Sequence, residues 1–182
     1  MSSCLFTVGH STREIGELVG LLQESGVRTL ADVRRYPASR RHPQFNRGTI
    51  ASSLRAAGIE YVWLPELGGR RTPDEDSPNT AWRSSAFRGY ADYMRTGPFE
   101  VAITRLAQIA RDQPTVLLCA EQAWQRCHRG LIADYLKSRG WEVRHILAPG
   151  RTELHPWTAA ARIVDGELAY ADDGSHQRGF EF

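Results

Sequence analysis

Apolar residues recur along the chain in short blocks, and the blocks alternate between two periods. Cys4 to Val8 is a short apolar run of the kind that makes a buried strand, and Gly9-His10-Ser11-Thr12 turns out of it. Ile15, Leu18, Val19 and Leu22 then fall on one face of a helix running to about Glu24, with Ser11 or Thr12 as its cap and Gly26 as its stop. Val27 to Val33 predicts a second strand, Thr49 to Ala57 a helix stopped by Gly58, and Ile59 to Leu64 a third strand. Phe87 to Met94 and Phe99 to Arg111 predict two further helices. Residues 115–119 read as a fourth strand, 127–139 as a helix with Leu131, Ile132, Tyr135 and Leu136 on one face, and Glu142 to Leu147 as a fifth strand.

Strand and helix alternating in this way predict an α/β fold: a mostly parallel sheet flanked by helices in three Rossmann-like layers. After Pro149-Gly150 the pattern changes. Arg162 to Tyr170 carries Asp165-Gly166 between two short runs, so a short C-terminal β-hairpin is expected there, and the polar tail from Ala171 is expected to be mobile. A single domain over 1–182 is expected, with a core at about 4–148 and the hairpin and tail over 150–182. Pro65 to Ser84 has no apolar periodicity; a loop of that length reads as a lid or a disordered segment.

The polar clusters sit at the strand ends. His10 and Ser11 follow the first strand, Asp32 and Arg34 end the second, Cys119 and Glu121 end the fourth, and His145 is placed near the end of the fifth. In a parallel sheet these ends share one edge, where open α/β sheets bind ligands. The stretch from Cys119 to Arg129 therefore places two thiols, a carboxylate, an imidazole and a guanidinium between a strand and a helix.

Composition changes this picture only at one point. A hydrophobic fraction of 41% and a charged fraction of 24% are those of an ordinary globular chain, and a net charge of +2 is too small to argue for a polyanion partner. Yet Lys137 is the single lysine, so 22 of the 23 basic residues are arginine. Coding bias explains such a skew; bidentate recognition of phosphate or carboxylate is the functional reading. MSSCLFTVGH lacks a charged n-region, so no signal peptide is expected, and no apolar run approaches the ~20 residues of a membrane helix. Three cysteines are then expected as reduced thiols in the cytoplasm.

The motifs GHS at 9–11, DVRRYPASRRHPQF at 32–45, LGG at 67–69, FRGYADYM at 87–94, LLCAE at 117–121 and CHR at 127–129 occur in order over roughly residues 5–147. In these the chain resembles the bacterial "domain of unknown function 488" family. The resemblance implies an α/β fold, strengthens the site, and adds little about the reaction.

Cys127 beside His128 and Arg129 has the setting that lowers a thiol pKa, against the alternative of a small buried hydrophobe. The catalytic candidates are Cys127, Cys119, Glu121, His128 and His10; the substrate-binding candidates are Ser11, Asp32, Arg34, Ser39, Arg40 and Arg129. Asp32 is alternatively an ion-pair partner for one of these arginines, and Glu121 a partner for Arg129. A Cys119–Cys127 disulfide lacks the Cys-x-x-Cys spacing of thiol oxidoreductases. A zinc site from Cys119, Cys127 and His128, completed by His10 or His42, matches no standard finger, and no metal is assigned. No G-x-G-x-x-G or P-loop pattern supports a bound dinucleotide or nucleotide, and no cofactor is assigned. Two readings of function follow. One is an enzyme, a hydrolase or transferase with a cysteine nucleophile, acting on an anionic, phosphate-bearing or nucleotide-like substrate. The other is a nucleic-acid-binding module built from arginine-rich loops with Tyr36, Phe45, Trp63 and Trp82 as stacking surfaces, or else a metal-binding protein.

Overall fold

Each strand that the apolar runs predict forms, and the strands lie parallel. In the computed structural model, which describes residues 4–172, they are β1 (Cys4–Gly9), β2 (Thr29–Asp32), β3 (Glu60–Trp63), β4 (Thr115–Cys119) and β5 (Glu142–Ala148). The helices are α1 (Ile15–Glu24), α2 (Arg47–Ala56), α3 (Ser85–Tyr93), α4 (Gly97–Asp112) and α5 (Arg129–Ser138). A further strand, β6 (Arg151–Leu154), pairs antiparallel with β5 and completes a sheet of order β3-β2-β4-β1-β5-β6. β7 (Arg162–Val164) and β8 (Glu167–Ala169) form the expected hairpin, with Asp165 and Gly166 at φ of 51° and 81° in its turn. Two positive φ values in succession are what a two-residue hairpin turn requires.

Alternate residues of a strand point to opposite faces, which here builds two cores. Val116 and Leu118 of β4 join Leu18 and Leu22 of α1 and Ile50 and Leu54 of α2. Leu117 and Cys119 join Phe99 and Leu106 of α4 and Leu131 and Ile132 of α5 on the other side. The sheet is thus the middle of three layers. β1 and β4 are neighbours, yet β1 leaves toward α1 and β4 toward α5, on opposite faces. Such a reversal opens a crevice above the carboxyl ends of the strands.

Four details differ from the sequence expectation. The cap of α1 is Glu14, and Ser11 and Thr12 lie upstream of it. Ser11, at φ 49°, instead donates its backbone N–H to the Ala120 carbonyl and ties the loop after β1 to the loop after β4. α5 begins at Arg129, two residues later than expected, because a 3-10 turn over Trp124–Arg126 precedes it. His145 lies within β5, not at its end. β6 gave no signal because it is an edge strand with three of its four residues exposed, so no apolar alternation marks it. Most of the tail expected to be mobile, from residue 173 onward, lies outside the described residues.

The long loop after β3 is tied down by one carboxylate. Asp92 on α3 accepts the Asp74 N–H at 2.9 Å, the Ser77 hydroxyl at 2.6 Å and the Asn79 side-chain amide at 2.7 Å. Burial pushes the Asp92 pKa up, but these hydrogen bonds outweigh it and hold the carboxyl below its ordinary value. Asp92→Ala leaves three donors without their acceptor and should destabilise the fold by about 2 kcal/mol. Urea titration measures this, and limited proteolysis should cut the variant faster within residues 70–84; equal cutting would show that the loop is held by other contacts.

Candidate active site

Cys119 closes β4 and Cys127 follows the 3-10 turn that returns toward the sheet, so both thiols face the crevice from the α5 side. Both are free, and both are buried. The Cys119 and Cys127 sulfurs lie within 4.8 Å of each other, His128 Nδ1 lies 3.7 Å from the Cys127 sulfur, and Arg129 donates its Nε–H to it at 3.4 Å. His128 Nε2 is buried without a hydrogen-bond partner among the described residues, and Nδ1 is the ring nitrogen that faces the sulfur. The hydrogen bond from Cys119 is the largest influence on Cys127. With the His128 hydrogen bond and the charges of His128 and Arg129, it outweighs burial and holds the Cys127 pKa well below the ordinary thiol value. Donation to Cys127, and then burial, push the Cys119 thiol well up. The two shifts run in opposite directions, so Cys127 is the more readily ionised of the pair. Cys4, by contrast, is raised, first by burial and then by Glu142.

Arg129 is 1% exposed, and its guanidinium spends its donors within the protein. Besides Cys127 it bonds to the Thr7 hydroxyl at 3.1 Å and to the carbonyl oxygens of Glu121 and Gln122. Its contact with Glu121 is thus through the backbone, while the Glu121 side chain is exposed. Gly9 makes this packing possible: a Cβ there would stand 1.9 Å from the Glu121 carbonyl oxygen. A Cβ on Gly69 would come within 2.9 Å of His128 Nδ1, so the second glycine of the LGG motif clears room for the imidazole.

The opposite wall comes from the loop after β2. Asp32 is fully buried and holds Arg34 through two contacts, Nε to Oδ1 at 2.9 Å and Nη2 to Oδ2 at 2.5 Å, and it also accepts the Tyr61 hydroxyl. Arg34 Nη1 meets His10 Nε2 at 3.2 Å, and His10 Nδ1 lies 2.9 Å from the Ser11 carbonyl. An arginine can only donate, so His10 is neutral, with its proton on Nδ1. Its pKa is lowered to about 4, chiefly by burial, in line with that assignment. The ring stacks on Phe45 at 4.2 Å.

Between these walls lies a pocket of about 350 Å³ lined by Cys119, Cys127, His128 and Arg34. Arg35, Arg70 and Arg126 also line it and are exposed, so the mouth carries positive charge that Asp32 does not neutralise. Arg70 has φ 60°, a left-handed backbone unusual for a non-glycine residue. The two sulfurs and a His128 ring nitrogen lie within 4.8 Å of one another, a set able to hold a metal ion; neither His10 nor His42 belongs to it.

A family model described as "Domain of unknown function DUF488" matches residues 14–136. The chain belongs to this family. The DUF488 match contains the motifs at 32–45, 67–69, 87–94, 117–121 and 127–129, whereas GHS at 9–11 and everything after 136 lie outside it. No curated protein and no solved structure matches the chain.

Of the candidates from the sequence, Cys119, Cys127, His128, Glu121 and Arg34 line the pocket, and His10 and Asp32 stand behind Arg34. Arg129 lies beneath the thiols. Ser39 accepts the His42 N–H and shapes its own loop, and Arg40 is exposed on that loop, outside the pocket lining. Arg35, Arg70 and Arg126 were not singled out by the sequence, because in an arginine-rich chain three more arginines carry no signal. Of the four aromatics considered for stacking, Phe45 is buried, Trp63 donates to the Arg34 carbonyl and Trp82 packs on Phe87; Tyr36 is 68% exposed and has the Arg35 guanidinium over its ring at 5.6 Å.

The buried neutral histidines set a pH dependence. His10 titrates near 4 and His145 near 2, both driven down first by burial, whereas both would titrate near 6.5 in the unfolded chain. Below 6.5 the unfolded state binds protons that the folded state refuses, so stability falls as pH falls. Thermal melts should show Tm declining between pH 6.5 and 5, above the range where most carboxylates titrate. A flat Tm across that interval would show that these rings take up protons in the folded protein.

Proposed function

We propose that the protein is a cysteine-dependent enzyme, a hydrolase or transferase, acting on an anionic, phosphate-bearing or nucleotide-like small molecule. The observation that carries this reading is the buried Cys127 sulfur, with the Arg129 Nε–H at 3.4 Å and His128 Nδ1 at 3.7 Å, lining a pocket whose mouth bears Arg35, Arg70 and Arg126. The arginines bind the anionic group, and the pocket sets the electrophilic atom against the sulfur. Cys127 Sγ forms a bond to that atom as the leaving group departs with its electron pair. Water or a second acceptor then displaces the sulfur and restores the thiolate. The exposed Glu121 carboxylate and the His128 imidazole are the proton-transfer groups at the pocket wall.

The metal-binding reading rests on the same two thiols and imidazole. Ligating histidines ordinarily donate their second ring nitrogen to an acceptor, and His128 Nε2 has none among the described residues, which favours the thiolate reading. Zinc that binds tightly and blocks alkylation of Cys127 would reverse that preference.

The test uses two small alkylating reagents that differ in charge. Cys127 should react fastest of the three cysteines at neutral pH, and anionic iodoacetate should outpace neutral iodoacetamide there. Inorganic phosphate should protect. Arg70→Ala or Arg126→Ala should reduce the preference for iodoacetate roughly tenfold, the low end for loss of a charge-assisted contact. Mass spectrometry of a time course assigns the site. A Cys127 that reacts no faster than Cys4, and without preference between the reagents, would remove the basis for this function.

A further inference from the structure

The segment after residue 148 lies outside the family match, yet it reaches the site from below. His155 follows β6 and is 1% exposed; its Nε2 lies 3.0 Å from Asp134 Oδ1 on α5. Its Nδ1 lies 2.9 Å from His145 Nε2 on β5, and His145 Nδ1 lies 2.7 Å from the Thr7 hydroxyl on β1. Thr7 and His145 stand opposite each other in the parallel register of β1 and β5, so their side chains leave the sheet side by side. The Thr7 hydroxyl accepts from Arg129 Nη1 at 3.1 Å, and Arg129 Nε reaches Cys127 at 3.4 Å. The chain thus starts on α5 at Arg129, crosses β1 and β5, and returns to α5 at Asp134.

Donor chemistry gives every link one direction. Arg129 only donates to Thr7 and the Asp134 carboxylate only accepts from His155, so with both imidazoles neutral the Thr7 hydroxyl proton goes to His145 Nδ1. His145 then carries its proton on Nε2 and donates to His155 Nδ1, and His155 donates from Nε2 to the Asp134 carboxylate. The order is free of conflict, with both imidazoles neutral and all their ring nitrogens used. Asp134 is fully buried and is fixed in turn by the Thr158 N–H at 3.0 Å, the Thr158 hydroxyl, and the Tyr170 hydroxyl at 3.0 Å. Trp124, from the turn between the two cysteines, stacks on His145 at 4.5 Å between ring centres and 8° between planes, and closes the chain to water.

We infer that Asp134, His155, His145 and Thr7 are positioning residues that hold Arg129 against the Cys127 sulfur, and that residues 151–170 belong to this protein's site because they supply His155 and lock Asp134. None of the four touches the pocket. They act through Arg129, whose Nη2 is held by the Glu121 and Gln122 carbonyls and whose Nη1 is held by Thr7. The inference rests on the thiolate reading of Cys127.

Thr7→Val keeps the shape of the side chain and removes the hydroxyl; Thr7→Ser keeps the hydroxyl. In the full-length protein, the pH of half-maximal Cys127 alkylation by iodoacetamide should rise by about one unit in Thr7→Val, as expected when a nearby positive charge loses its hold. Thr7→Ser should stay at the wild-type value. Nitrogen-15 NMR of the wild type, which needs no variant, should find both His145 and His155 protonated on Nε2 alone. A well-folded Thr7→Val variant with the wild-type alkylation curve overturns the positioning role while leaving the thiolate reading intact. A proton on Nδ1 of either histidine overturns it too, by breaking the chain's direction. Wild-type Cys127 behaving as an ordinary thiol removes the thiolate reading and this inference with it, and is told apart because the wild type alone shows it.

Discussion

A guanidinium that is buried has to spend its donors inside the protein, and Arg129 shows how much structure that constraint organises. It sits in the first turn of α5, between the sheet and the loop that carries both cysteines. Its donors fix the Glu121 and Gln122 carbonyls, which shapes the loop after β4, and reach Thr7, which ties the loop to β1. The Nε–H is directed at Cys127. Leaving a buried charge without a partner is far costlier than an ordinary lost contact. A sulfur beside this cation is therefore stabilised as the anion, and the same contacts that satisfy the arginine define the floor of the pocket.

The two thiols differ for a reason that neither flanking sequence contains. Both are buried, and burial raises a thiol pKa. Only Cys127 has the Arg129 Nε–H and the His128 ring directed at it, with the other thiol beside it. Two adjacent thiolates in one buried site repel, so the proton that Cys127 gives up is best kept on Cys119, where it bridges the pair. The exposed Glu121 carboxylate is not among the leading influences on Cys119; Cys127 itself is. Asp32 and Arg34 repeat the logic on the facing wall. The carboxylate there consumes the arginine, and the positive charge at the mouth falls to Arg35, Arg70 and Arg126, with the Glu121 carboxylate in the same lining.

Much of this was legible in the chain. The five parallel strands and the helices between them follow from apolar period, and the meeting of the loops after β1, β2 and β4 follows from strand parity alone. Cys127 and Arg129 stood out because they flank His128 in sequence. What stayed hidden has a physical cause in each case. β6 is an edge strand and carries no buried face to alternate. Glu14 caps α1 without a side-chain bond, so no capping residue announces the start. The chain from Thr7 through His145 and His155 to Asp134 joins residues far apart in sequence. Thr7 and His145 alone are separated by 138 positions, and a lone buried histidine reads as core until its partner is seen. Arg70 and Arg126 were masked by the abundance of arginine itself.

The central claim is that the folded protein carries one thiolate at neutral pH and that it belongs to Cys127. Ultraviolet difference absorbance of the thiolate, recorded on wild type against Cys127→Ser in the native state, measures it without any reagent having to enter the pocket. The account predicts one equivalent of thiolate in the wild type well below the ordinary thiol pKa of about 8.5, absent from Cys127→Ser and retained in Cys119→Ser with its pKa raised. A wild-type signal that appears only as pH approaches the ordinary thiol value, or that survives in Cys127→Ser, would contradict it.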